Sequence, residues 1–141
     1  MIMETITLKK YYEDIKKGRE FFKKIALKND ISENTIFFTE IVINEVIANI
    51  IEHGIVADKE DILFKIGVSN YSELLIEFQY VGNYLTYESI KKHTMLKEVE
   101  SVEDLDAEGR GIFLIHNLMD KVIYETDENN IVKIILIKKL D

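Results

Sequence analysis

From Ile36 to Ile51 the chain is apolar enough for a core helix, yet Glu40, Asn44, Glu45 and Asn49 interrupt it. Glu45, Asn49 and His53 recur at a spacing of four. On a helix that spacing places them on nearly one face, about 6 Å apart along the axis. Ile43, Ile47, Ile50 and Ile51 flank this stripe and are expected to be largely buried. Polar groups beside such a surface cost free energy unless they are paired or hold something.

Two readings of the stripe stand side by side. A carboxylate next to an amide oxygen is a starting point for Mg²⁺, which takes few protein ligands and keeps waters for bridging to phosphates. A carboxylate near a phosphoryl group can also orient or deprotonate an attacking hydroxyl. In the other reading the three residues form a solvated or mutually hydrogen-bonded stripe, with His53 facing the dipole at the helix end.

Around this helix the remaining pattern predicts a β-α-α-β-β-α-β-β order. Residues 3–8 read as a short strand and 10–29 as an amphipathic helix burying Tyr12, Ile15, Phe22, Ile25 and Ala26. Ser32 offers an N-cap for the second helix, and Gly54 a stop. Residues 61–68 and 73–80 alternate as two strands around a turn at Ser69–Ser72. Residues 111–119 read as a helix, and 121–126 with 131–138 as a final hairpin. Between Val81 and Glu108 the pattern is weak and polar, with one short helix near 87–93, as in a lid. The expected architecture is a single α+β domain over residues 1–141, a two-layer sandwich of helices on a mixed or antiparallel sheet.

Composition narrows the function classes. The formal net charge is −8, which disfavours non-specific contact with nucleic acid or an anionic membrane and favours a basic protein partner. There is no cysteine, so disulfides and thiolate metal sites are excluded. No leader-like run opens the sequence and no uninterrupted stretch approaches the roughly 20 apolar residues of a membrane span, so a cytoplasmic location is expected. His93 and His116 lack ligand spacing and read as surface or core residues. Phe21-Phe22 and Phe37-Phe38 read as core or as a dimer surface. The lysine pairs at 9–10, 16–17 and 23–24 recur every seven residues and read as a solvated face.

A second motif lies at Gly109-Arg110-Gly111, at the expected start of the third helix. Glycines let a ligand approach the backbone, a helix N-terminus offers unpaired N–H groups to a phosphate, and Arg110 adds positive charge. A lone Gly-x-Gly is a weak signal, and a tight loop-to-helix turn is the other reading of the same residues.

Together the two motifs resemble those of the GHKL (Bergerat-fold) ATPase superfamily, and within it the anti-sigma factor serine/threonine kinases. Glu45-x-x-x-Asn49-x-x-x-His53-Gly54 is similar to that family's N-box. Gly109-Arg110-Gly111-Ile-Phe-Leu-Ile115, with Leu118-Met119-Asp120 following, is similar to its second glycine box. The resemblance spans residues 3 to 138. It implies a histidine kinase-like ATPase fold binding Mg-ATP, with Glu45 as general base or orienter of a target serine and Asn49 as Mg²⁺ ligand. His53, Gly82, Gly109, Arg110 and Gly111 would complete the nucleotide site. It further implies a STAS-type anti-anti-sigma protein as substrate, a sigma factor as alternate partner, and a homodimer.

One position departs from the pattern. The family places an Asp two residues before the glycine matched by Gly82, where it accepts a hydrogen bond from adenine; here Tyr80 stands in its place. Loss of one such charge-assisted hydrogen bond costs about 1.5–3 kcal/mol. Two functions therefore compete: an active kinase, or a partner-binding module that keeps the fold with lost or weakened nucleotide binding.

Overall fold

The computed structural model describes residues 2–54, 61–70, 72–82 and 107–140, with the backbone alone for 107–110. The elements are β1 (Glu4–Leu8), α1 (Glu13–Lys28), α2 (Glu33–Asn49) continued by a π turn (Ile50–Gly54), β2 (Ile62–Val68), β3 (Glu73–Val81), α3 (Ala107–Leu118), β4 (Lys121–Thr126) and β5 (Ile131–Lys139). This is the predicted order. The expected lid, and the short helix expected near 87–93, fall on residues outside those described.

The five strands form one sheet in the order β1-β2-β3-β5-β4, antiparallel at every pairing. Strict alternation in β3 buries Leu74, Ile76, Phe78 and Tyr80 on one face. The matching face of β5 buries Val132, Ile134 and Leu136. The helices cover this face, which makes the domain the expected α+β sandwich. Phe64 of β2 stacks on Phe78 at 4.5 Å, and Phe21 of α1 meets Phe64 edge-on at 5.4 Å, so α1 is keyed to the centre of the sheet.

Local chemistry sets the element ends. The Ser32 hydroxyl accepts from the Thr35 N–H at 3.3 Å and caps α2. At the β2–β3 turn, Ser72 adopts φ 58°, and its N–H donates to the Ser69 carbonyl. In the β4–β5 turn, Asp127 accepts from the N–H groups of Asn129 and Ile131 while Asn130 takes φ 62°.

Four expectations change. Tyr12 is 57% exposed rather than buried, because α1 begins after it and its hydroxyl donates to Glu52. Phe22 is core and Phe21 packs against it, while Phe37 and Phe38 lie on the outer side of α2, in solvent, which removes the core reading for that pair and leaves the surface one. The third helix starts at Ala107, four residues early, so Gly109 and Gly111 are inside its first turns and do not form a turn before it. Finally, Glu33–Gly54 is a continuous helix of 22 residues, long and apolar enough to cross a membrane by length and composition. Its apolar face is core here: Val42, Ile43, Val46, Ile47 and Ile50 are all buried.

Candidate functional site

The site forms where α2 runs between the sheet and α3. Glu45 sits on the α3 side of α2, half-buried, with Asn49 one turn further on. Gly111 of α3 lies directly against the Glu45 carboxylate: a β-carbon placed on Gly111 would collide with Glu45 Oε2. Any larger residue at 111 would push the carboxylate away, so the two motifs meet at this pair. Burial raises the pKa of Glu45, and the charge of Glu52, seven residues on, raises it further. A carboxyl tuned upward is better matched to proton transfer near neutrality.

The far end of the stripe is arranged differently from the simple spacing. After Asn49 the helix widens into the π turn, so Ile50–Gly54 leaves the four-residue repeat. His53 is more than a third exposed, with Nε2 3.5 Å from Glu52 Oε2. Glu52 also takes the Tyr12 hydroxyl bond at 3.1 Å. His53 thus belongs to a surface cluster with Glu52, while still reaching the rim of the cavity below.

That cavity lies between α2, α3 and the sheet. It is lined by Val46, Asn49, Ile50, His53, Gly54, Tyr80, Ile115, Tyr124 and Ile134. Tyr80, only 3% exposed, points into it from β3. Tyr124 enters from β4, across the intervening β5, and its hydroxyl is 3.4 Å from His116 Nε2 on α3. Burial raises the pKa of both phenols, that of Tyr124 to about 12, and the neighbouring Tyr124 raises that of Tyr80 further. Both hydroxyls stay neutral at any ordinary pH. The space left is about 30 Å³, room for one or two waters.

Of the residues expected in the site, Glu45, Asn49 and Gly111 come together. Gly82 directly follows β3 and donates its N–H to the Asn130 carbonyl at 2.9 Å. Gly109 and Arg110 lie in the first turn of α3; the Arg110 side chain is outside the described residues. Among the described residues no group of three or more His, Cys, Asp or Glu side chains is placed to hold a metal ion. Tyr124 was not anticipated. The alternation of β4 places it on one face with Val122, but only the strand order brings that face beside Tyr80.

The fold corresponds to that of known proteins. The family model described as histidine kinase-like ATPase domain matches residues 9–136, and the chain belongs to that family, a GHKL-type ATPase domain. Among solved structures, the chain is similar to the catalytic domain of the histidine kinase ThkA in a nucleotide-free form. The likeness has a TM-score of 0.53 at 16% identity and covers 99% of this chain and 96% of that one. It shows the shared fold. No curated protein matches the chain.

Whether the residues fit Mg-ATP has a different answer at each end. Glu45, Asn49 and the glycine backbone at 111 offer what a Mg-bound phosphate needs: a carboxylate, an amide oxygen and a side-chain-free approach. The base end is closed by Tyr80 and Tyr124, and the remaining space is far below the roughly 300 Å³ of an ordinary small-molecule pocket.

Proposed function

We propose that this protein is a regulator of the anti-sigma factor serine/threonine kinase type. In this reading it binds Mg-ATP between α2 and α3 and phosphorylates a serine of a STAS-type anti-anti-sigma protein. It alternately sequesters a sigma factor, acting as a cytoplasmic homodimer without direct contact to nucleic acid or membrane. The observation that carries the reading is the seat of the Glu45 carboxylate on Gly111, with Asn49 one turn away.

Mg-ATP, when bound, supplies the phosphoryl group and the divalent charge that screens it. Glu45 orients the incoming serine hydroxyl and accepts its proton, a role its raised pKa suits. The Asn49 amide oxygen would hold Mg²⁺, with His53 at the rim of the cavity. Gly82, Gly109, Arg110 and Gly111 would border the nucleotide.

A second reading is favoured by one specific observation, the inward placement of Tyr80. In it the chain is a partner-binding module of the same fold whose nucleotide affinity is weak. Phosphotransfer from radiolabelled ATP to the serine of a STAS-type protein separates the two. The kinase reading predicts transfer by the wild type and none by Glu45→Ala, with ATP binding kept in that variant. Transfer that persists in Glu45→Ala removes the role given to Glu45. The absence of transfer in the wild type leaves the binding module.

A further inference from the structure

Phe37 and Phe38 are 61% and 44% exposed, and their rings meet edge to face at 5.5 Å. Single exposed apolar residues are ordinary, but two adjacent rings make one platform. Ile41, half-buried and one turn on, lengthens it along the helix.

The charge on the helix that carries the platform has one sign. From Asn29 to Asp58 the sequence holds no Lys or Arg, while Glu33, Glu40, Glu45 and Glu52 run along the helix. The chain as a whole is at −8. The exposed lysines of α1, among them Lys16, Lys17, Lys23 and Lys24, lie on a separate element. Anionic partners such as nucleic acid or a charged membrane are repelled by such a surface.

We infer that the outer face of α2, centred on Phe37, Phe38 and Ile41, is a docking surface for a basic amphipathic helix of a partner protein. An apolar stripe at helical spacing covers the two rings and Ile41, and Lys or Arg beside the stripe reach Glu33 and Glu40. Phe38 lies seven residues before Glu45, about 10 Å along the axis, so a helix seated here extends toward the carboxylate. The surface does not depend on whether the cavity takes a nucleotide.

A direct probe is a fluorescein-labelled 18-residue Leu/Lys peptide with its leucines at helical spacing, titrated against the full chain and followed by anisotropy. Two control peptides carry Glu in place of Lys, or the same composition in strict alternation. The wild-type chain binds the helical Leu/Lys peptide saturably and neither control. Phe37→Ser/Phe38→Ser lowers affinity at least tenfold, and Glu33→Gln/Glu40→Gln removes most of the salt dependence. Both rings are exposed, so circular dichroism and melting of the double variant match the wild type; Phe37→Ser alone gives the same comparison in a milder form. Equal binding by the serine variants, or binding of the Glu peptide, overturns the inference. So does sedimentation showing a wild-type dimer that the serine variants convert to monomer, since a second copy then occupies the face.

Discussion

Gly111 of α3 presses its bare Cα face against the Glu45 carboxylate of α2. Two segments 66 positions apart in the chain thereby define one point in space, and the missing side chain at 111 is what lets the carboxylate sit there. An alanine at 111 is better for an isolated helix by about 1 kcal/mol, so this glycine reflects a contact rather than a propensity.

A sign reversal follows for Gly111→Ala. In the wild-type background the new methyl displaces Glu45, and overpacking destabilises by about 1–3 kcal/mol. In a Glu45→Ala background the collision is gone, and the same change stabilises by roughly 0.5–1 kcal/mol through helix propensity. Urea unfolding of the four proteins gives the coupling energy directly. Equal effects in both backgrounds would show that the two residues do not touch.

Glu45 also links stability to pH. Its folded pKa is raised, so between its unfolded and folded values the folded state binds more protons than the unfolded one, and stability falls as pH rises through that window. Glu45→Gln removes the effect. Melting curves of wild type and Glu45→Gln should converge near pH 4 and separate above about pH 5, where the variant is the more stable. Because the group is only half-buried, solvent screening keeps the gap below about 1 kcal/mol. A variant less stable than wild type at neutral pH contradicts this.

Tyr80 trades stability against access. Replacing it with Ala removes a buried ring and costs about 3–5 kcal/mol of unfolding free energy. The same change opens the base end, so Mg-ATP affinity should rise at least tenfold, about 1.4 kcal/mol. Fluorescence titration with a labelled ATP analogue checks the gain. Unchanged affinity in a folded Tyr80→Ala protein means that the ring does not limit entry.

Asn44 is half-buried, and its Oδ1 has no hydrogen-bond partner among the described residues. A buried acceptor left unpaired costs about 1–3 kcal/mol. Asn44→Leu, close to isosteric, should therefore raise the melting temperature by several degrees. A lower melting temperature would mean that the amide has a partner or that leucine does not fit.

Much of this was legible in the residues themselves. Strand alternation and the Asp127–Asn130 turn gave every described strand to within a residue or so, because period-two burial and turn chemistry are local. The Ser32 cap fixed the start of α2 for the same reason. What was not legible depends on distant contacts. The exposure of Phe37 and Phe38 is decided by where α1 and α3 pack, not by hydrophobicity. The π turn after Asn49 has no local composition cue. The helical start at Ala107 overrides the glycines at 109 and 111, whose propensity argues for a turn. Tyr80 was recognisable as a departure, but its inward direction and its companion Tyr124 needed the β3-β5-β4 order.

The most direct measurement is a calorimetric titration of Mg-ATP into the full chain. The proposed function predicts saturable heat with half-saturation below roughly 1 mM, retained in Glu45→Ala and weakened in Asn49→Ala. No heat and no thermal shift at several millimolar Mg-ATP would contradict it and leave a histidine kinase-like fold that works by binding proteins alone.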